Sequence, residues 1–151
     1  AAMNLAITTP PSTVQRIVQT NLIGTIYTCQ EFAPLLVRAG GGAVVTFSTI
    51  AVALGLKGES VYAASKAGVE AFTRAFAREV SGHSVRVNCI APGPILTDLI
   101  RGVPDESIAN VVARQVIPVQ FAPGTICDLV ELLLDPRASS LAGIVLPVGG
   151  S

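Results

Sequence analysis

The chain has 151 residues, of which 50% are hydrophobic and 13% charged, and its formal net charge is zero. It contains no basic cluster that would bind nucleic acid or an anionic membrane, no apolar run long enough to cross a bilayer, and no recognisable signal peptide. The three cysteines, Cys29, Cys89 and Cys127, lack the spacing of metal ligands. They are predicted to be small buried residues, which favours a cytoplasmic protein that binds no metal.

Helices and strands are predicted to alternate along the chain. Ser12, with Gln15 three residues later, is the predicted N-cap of a long helix that ends near Arg38, with Pro34 at a kink or in its last turns. The later elements are a strand at 43–48, a helix at 60–80, a strand at 85–91, helices at 105–116 and 124–134, and a strand at 142–150. Strands joined by helices predict parallel pairing and an α/β fold, and no linker divides the chain into more than one domain.

Tyr62 and Lys66 stand four residues apart in "SVYAASKAGVEAF", a segment otherwise rich in small residues. This spacing places both side chains on one helical face, near the carboxyl ends of the strands, where parallel α/β sheets bind ligands. An ammonium beside the phenol would lower the phenol pKa and favour proton exchange with a substrate oxygen, which Thr49 or Ser48 could also hold. The alternative is a surface tyrosine and a solvated lysine on an ordinary alanine-rich helix.

Four segments, in the order "NLIGT", "VVTFST", "YAASKAG" and "VRVNCIAPGPILTD", resemble the short-chain dehydrogenase/reductase family, above all its 3-oxoacyl-acyl-carrier-protein reductase branch. The resemblance extends from the first residues to the closing "VGG". It implies a Rossmann-like, doubly wound parallel sheet. It also implies an NAD(P)-dependent oxidoreductase that transfers a hydride between the nicotinamide and a small carbonyl or alcohol substrate.

The resemblance gives roles to individual residues. Tyr62 resembles the catalytic acid/base of the family, and Lys66 resembles the lysine that lowers the tyrosine pKa and holds the nicotinamide ribose. Asn21 resembles the asparagine that positions a water in the proton relay. Its place on the helical face of Val14 and Val18 supports this role, because a buried amide needs partners. A core asparagine satisfied by backbone groups is the alternative.

The substrate-binding serine of the family corresponds to Thr49, a departure that keeps the hydroxyl, and Ser48 is the second candidate. The resemblance further implies that the nicotinamide carboxamide binds a tight turn with a free N–H and a nearby hydroxyl, formed by Pro92, Gly93, Ile95 and Thr97. A simple turn with a helix-capping threonine is the alternative to this binding loop.

The glycine-rich turn with which the family binds the pyrophosphate is not found in this sequence, and "AAMNLA" resembles the segment after the fourth strand of the family. We therefore expect the C-terminal catalytic portion of the fold, with about three strands, an exposed sheet edge and exposed helix faces. Residues 1–151 alone are expected to bind NAD(P) too weakly to measure. The closing "VGG" also departs from the usual Asp-Gly-Gly.

Two functions fit the sequence: the catalytic part of an oxidoreductase, or a non-catalytic remnant that only pairs with another subunit. In the family the two long helices form the subunit interface, so the resemblance implies a homodimer or homotetramer. An isomerase on the same fold is less favoured, because Tyr62, Lys66 and Asn21 fit hydride chemistry. The coding sequence upstream of Ala1 would discriminate between the first two.

Overall fold

A computed structural model describes residues 4–150, and in it three parallel strands with flanking helices form an α/β structure, as predicted. The elements are α1 (Pro11–Val18), a π-helical turn (Gln19–Ile23), α2 (Gly24–Arg38), β1 (Gly42–Phe47), α3 (Ala51–Leu54), α4 (Ser60–Val80), β2 (Val85–Ala91), α5 (Asp105–Val112), α6 (Pro123–Leu134) and β3 (Val145–Pro147). Short 3₁₀ turns lie at Ala6–Thr8, Ser81–His83, Asp98–Ile100 and Pro136–Ala138.

The first long helix is continuous from α1 through the π-helical turn to the end of α2 at Arg38. The predicted N-cap at Ser12 is wrong, because the helix begins at Pro11 and no side chain caps it. A proline at the first helical position has no N–H to satisfy and already holds a helical φ, so this start needs no capping hydroxyl. Pro34 lies within α2, in its last turns.

The sheet has the strand order β1-β2-β3, and both pairings are parallel. Gly42 pairs with Val85 and Phe47 with Ile90, so β1 and β2 end together at the same edge. The segments that follow the two strands therefore leave the sheet side by side. This register brings the first residues after β1 close to the loop after β2.

The central strand β2 is covered on both faces. On one face Val85 and Val87 pack with buried residues of α2 and α4, including Cys29 and Phe76. On the other face Ile90 packs against α6 and the C-terminal segment, through residues that include Leu133 and Val148. Burial on both faces explains why β2 reads as a nearly continuous apolar run.

Two elements are shorter in the structure than predicted from the sequence. The last strand spans only Val145–Pro147, because Gly143, Gly149 and Gly150 have positive φ and leave the extended conformation. The helix predicted at 105–116 ends at Val112, and the chain then turns so that the Gln115 side chain becomes buried.

Large apolar side chains remain exposed on α2 and at the end of β1. Tyr27, Phe32 and Leu35 are 58%, 59% and 49% exposed, and Phe47 is 42% exposed. Within residues 4–150 the outer edge of β1 pairs with no strand. These features match the expected exposed edge and helix faces. Among the helices described, none is long and apolar enough to span a membrane.

Arg86 of β2 bonds to the backbone at the C-terminal end of α6, and replacing it with methionine should destabilise the fold. Its guanidinium donates to four backbone carbonyls, those of Leu133, Leu134, Asp135 and Ala138, at 2.8 to 3.4 Å. Hydrogen bonds to a charged group are the strong ones, so we expect Arg86→Met to lower the free energy of unfolding by about 2–3 kcal/mol. Urea denaturation followed by circular dichroism measures this change.

The control is Arg101→Met, which removes an exposed ion pair with Asp98. Surface pairs of this kind contribute roughly 0–1 kcal/mol. Equal destabilisation by the two substitutions would contradict the structural role of Arg86.

Candidate active site

A cavity of about 480 Å³ opens at the carboxyl ends of β1 and β2. The structure brings most of the predicted site residues to its wall, namely Ser48, Thr49, Tyr62, Lys66, Pro92, Gly93, Ile95 and Thr97. The segment that follows, through α5, supplies apolar residues to another part of the wall, among them Ile100, Val103, Ile108 and Val111. A few polar groups in a mostly apolar pocket of this size are typical of a small-molecule site.

Tyr62 lies in the first turn of α4, and its hydroxyl is harder to ionise than an ordinary phenol. Burial is the main factor that raises the pKa of Tyr62, and the charge of Glu59 raises it further. A hydrogen bond with the side chain of Thr49 acts in the opposite direction and lowers the pKa. Tyr62 therefore stays protonated at neutral pH and can act as a proton donor.

Lys66 follows Tyr62 by one helical turn, and its ammonium contacts the backbone at the end of β1. Its Nζ donates to the backbone carbonyl of Phe47 at 3.0 Å, and burial lowers the pKa of the ammonium itself. Burial, Glu59 and Thr49 are the factors that shift the Tyr62 pKa here, and the effect of Lys66 on that pKa stays a prediction.

Ser48 and Thr49 are adjacent, but their hydroxyls make different contacts. Ser48 is 4% exposed, and its hydroxyl donates to Glu70 Oε1 at 2.7 Å. Thr49 is only half-buried and interacts with Tyr62, while its Oγ1 accepts a bond from the N–H of Ala51 at 3.2 Å. The Ser48 hydroxyl is thus committed to a carboxylate, whereas that of Thr49 can still meet a ligand oxygen.

Asn21 does not line the cavity wall. It lies in the π-helical turn, where the Gly24 N–H reaches the carbonyl of Gln19, five residues back. Its Nδ2 donates to Ser65 Oγ at 3.1 Å, and Ser65 Oγ donates to the Tyr62 carbonyl at 2.7 Å. Asn21 is therefore joined through Ser65 to the backbone of the helical turn that carries Tyr62.

The loop after β2 has the chemistry to hold a carboxamide. The Ile50 N–H donates to the Pro92 carbonyl at 3.0 Å, which fixes the loop to the segment after β1. Within residues 4–150 the Ile95 N–H has no acceptor, although its neighbour Leu96 donates to Phe121. A free N–H at the wall of the cavity, near Lys66, fits the nicotinamide end of a dinucleotide.

Gly93 is held against Gln115, a residue that the sequence analysis did not single out. The Gln115 side chain is 6% exposed and donates to the carbonyls of Ile117 and Val119 at 3.3 and 2.9 Å. A Cβ on Gly93 would overlap Gln115 Oε1, and a Cβ on Gly149 would lie 2.9 Å from the same atom. Gln115 thus fits between the loop after β2 and the C-terminal segment only because both facing residues are glycine.

The cysteine prediction needs one correction. Cys29 and Cys89 are buried, as expected, but Cys127 is exposed and lines the cavity. All three are free thiols. Cys127 lies in the first turns of α6, whose other face packs on the sheet, so the helix presents this side chain outward. Across residues 4–150 no group of His, Cys, Asp or Glu side chains is arranged to hold a metal.

Comparison with known proteins places this site in a family. A protein-family model described as Enoyl-(Acyl carrier protein) reductase matches residues 2–150. The chain is 35% identical to the 3-oxoacyl-[acyl-carrier-protein] reductase FabG of Chlamydia muridarum over 89% of its length, which covers 54% of that protein. It is also 35% identical to a D-xylose 1-dehydrogenase of Caulobacter vibrioides over 83% of its length, or 51% of that protein. The chain thus spans about half the length of these relatives.

Solved structures agree with the sequence matches. A short-chain type dehydrogenase/reductase from Mycobacterium ulcerans superimposes with a TM-score of 0.91 at 29% identity, covering 99% of this chain and 56% of that one. A second short chain dehydrogenase/reductase family protein gives a TM-score of 0.86 at 32% identity, covering 97% of this chain and 60% of the other. The fold is therefore Rossmann-like, and the chain belongs to the short-chain dehydrogenase/reductase family of oxidoreductases.

Proposed function

We propose that this chain forms the catalytic part of an NAD(P)-dependent oxidoreductase that interconverts a carbonyl and an alcohol. The observation that carries the proposal is the convergence of Tyr62, Thr49 and Lys66 with the Pro92–Thr97 loop on one cavity. A proton donor, an oxygen-binding hydroxyl, a cation and a carboxamide-binding loop are the groups that hydride transfer to a carbonyl requires. The relatives named above as reductases and a dehydrogenase support the same class of reaction.

In carbonyl reduction the Tyr62 hydroxyl gives its proton to the substrate oxygen while Thr49 holds that oxygen in place. The raised pKa of Tyr62 keeps the phenol protonated, so reduction should persist at neutral pH and decline only as the pH rises through that pKa. Alcohol oxidation needs the phenolate and should therefore increase with pH. Asn21 and Ser65 hold the backbone of the Tyr62 turn in place.

The cofactor, when bound, supplies or accepts the hydride. Its nicotinamide carboxamide would bind the N–H of Ile95 and the hydroxyl of Thr97, in the turn formed by Pro92 and Gly93. The Lys66 ammonium would leave the Phe47 carbonyl or share its protons with the nicotinamide ribose. We place the activity in the cytoplasm, with either NAD or NADP as cofactor.

Thr49, and not Ser48, is predicted to bind the substrate oxygen. In the proposed oxidoreductase Thr49→Ser should retain most activity, because it keeps the hydroxyl. Thr49→Val should lose roughly 2.7–4 kcal/mol of transition-state stabilisation, the cost of removing one such donor. Steady-state kcat/KM for ketone reduction measures both changes.

Ser48→Ala is the neighbouring control, since its hydroxyl is bonded to Glu70. It should lower kcat/KM less than Thr49→Val does. A larger loss with Ser48→Ala, in a variant that remains folded, would assign the oxygen-binding role to Ser48.

A second candidate function, subunit pairing, is favoured by the exposed apolar side chains of α2. Tyr27, Phe32 and Leu35 lie on a helix that packs on the sheet only through its other face. We propose that this face joins the chain to a second copy in a homodimer or homotetramer. Sedimentation analysis of the wild type and of Phe32→Glu tests the pairing, and an unchanged oligomeric state would contradict it.

A further inference from the structure

Glu59 lies next to the proton donor, on the wall of the cavity. It immediately precedes α4, three residues before Tyr62, and both residues line the cavity. Residues in this position often cap the helix with their side chain, but the Glu59 carboxylate makes no capping bond. The helix instead uses the Glu59 backbone carbonyl, which accepts from the Ala63 N–H at 2.7 Å.

The carboxylate of Glu59 also lacks a cationic partner among residues 4–150. Lys66, the other charged side chain on the described cavity wall, donates to the Phe47 carbonyl. Glu70, the next acidic residue of the helix, is already bonded to Ser48 and Arg74. Of these two carboxylates, Glu59 is therefore the one that no side chain among residues 4–150 engages.

The position of Glu59 affects the pKa of its own carboxyl and that of Tyr62. Desolvation raises the pKa of its carboxyl, and its charge raises the pKa of Tyr62. A half-buried carboxylate in a mostly apolar cavity is costly unless something donates to it. Because Glu59 and Tyr62 line the same cavity and are three residues apart, a donor bound to Glu59 would lie on the part of the wall that carries the reacting hydroxyl.

We propose that Glu59 determines substrate specificity by accepting a hydrogen bond from a hydroxyl or ammonium group located near the reacting carbon. This inference rests on the proposed function, since it describes the substrate of the same cavity. The substrate class is an alcohol or ketone with an apolar body and a neighbouring hydrogen-bond donor. Substrates that carry a carboxylate at that place are disfavoured by like-charge repulsion.

The test compares four cyclohexane probes of similar size by ligand-observed NMR titration of the protein: cyclohexanol, 1,2-cyclohexanediol, 2-aminocyclohexanol and 2-hydroxycyclohexanecarboxylate. We expect the diol and the amino alcohol to bind about tenfold or more tightly than cyclohexanol, because hydrogen bonds to a charged group are strong. The hydroxy acid should bind most weakly. Comparing the affinities of the diol and the amino alcohol shows whether Glu59 prefers a hydroxyl donor or a cationic one.

Glu59→Gln should remove the preference for the amino alcohol and restore binding of the hydroxy acid. Glu106→Gln is the matched control, because Glu106 is exposed on α5 and does not line the cavity. Ratios of affinity that are the same in the wild type and Glu59→Gln would overturn the inference.

A second measurement checks that Glu59 acts on the site and not only on folding. The chain has two tyrosines and no tryptophan, so Tyr27→Phe leaves Tyr62 as the one phenol in its ultraviolet titration. Glu59, Lys66 and Cys127 are the titratable side chains that line the described cavity beside it. In the Tyr27→Phe background, Glu59→Gln should lower the Tyr62 pKa, and an unchanged or higher pKa would place Glu59 away from the phenol.

The outcomes separate this inference from the proposed function. If the probes bind and Tyr62→Phe lowers their affinities, but Glu59→Gln leaves the ratios of those affinities unchanged, only the proposed role of Glu59 is contradicted. If none of the probes binds, or binding is insensitive to both substitutions, the cavity is not the substrate site and both proposals fail.

Discussion

If the chain belongs to a carbonyl reductase as proposed, replacing Tyr62 with phenylalanine is expected to lower kcat/KM for carbonyl reduction by about 10²–10⁴. Phenylalanine keeps the ring that packs beside Thr49 and removes the hydroxyl that gives its proton to the substrate oxygen. The fold should be preserved, because no backbone bond of α4 depends on that hydroxyl. Initial rates of nicotinamide oxidation with a ketone substrate measure the loss.

Tyr27→Phe is the control for this experiment, since Tyr27 is exposed on α2, outside the cavity. It should leave kcat/KM within about twofold, as expected for a surface substitution. Activity near that of the wild type in a folded Tyr62→Phe variant would remove Tyr62 from the reaction.

Gly93→Ala is expected to destabilise the protein by about 1–3 kcal/mol and to weaken cofactor binding. The added Cβ overlaps Gln115 Oε1, and Ile50 Cδ1 lies 3.2 Å away on the other side. Gln115 cannot move freely, because it is buried and bonded to Ile117 and Val119. The loop must shift instead, which displaces the Ile95 N–H from the cavity wall.

Gly124→Ala provides the matched control. Gly124 lies in the first turn of α6, and a Cβ there would meet no atom within 4 Å. Alanine should be neutral or stabilising by up to about 1 kcal/mol at such a helical position. Thermal unfolding and titration with the nicotinamide cofactor test the contrast between the two variants. If Gly93→Ala is as stable as Gly124→Ala, the Gln115 side chain can move away from the added Cβ without loss of stability.

Much of the fold could be predicted from periodicity and turn chemistry. The helix at Ser60–Val80 and the strand at Val85–Ala91 have their predicted bounds, because each is a long apolar pattern with clear breaks. The long helix also ends at Arg38, before a run of glycines. Its start was misjudged, since Ser12 resembles a cap while Pro11 alone suffices to begin the helix.

The candidate site was harder to predict than the fold. Local sequence identified Tyr62 and Lys66 by spacing, but the direction of the Tyr62 pKa depends on burial and on which group Lys66 contacts. Neither the burial of Tyr62 nor the contact of Lys66 can be predicted from the sequence of one helix. The bond between Ser48 and Glu70 joins residues 22 positions apart, so the sequence could not show that the Ser48 hydroxyl is already engaged.

Some contributors to the site carry little local signal. The π-helical turn around Asn21 follows ordinary helical sequence, and its extra residue per turn is revealed only by the backbone bonds. Ser65 lies within the "YAASKAG" segment and bonds to the nearby Tyr62 carbonyl. Its other partner, Asn21, is 44 residues away in the sequence, so local sequence could not predict that contact. Glu59 and Gln115 are polar residues among many, and only the structure shows that Glu59 lines the cavity and that Gln115 is buried.

The central claim is that Tyr62, Thr49 and Lys66 form an oxidoreductase site, and isotope transfer tests it most directly. The protein is incubated with a ketone and with NADH or NADPH that carries deuterium at nicotinamide C4, and the alcohol product is analysed by mass spectrometry and NMR. The account predicts that deuterium appears on the carbinol carbon and that Tyr62→Phe slows this transfer by about 10²–10⁴. Absence of transfer from both cofactors across a panel of ketones, or undiminished transfer in Tyr62→Phe, would contradict it.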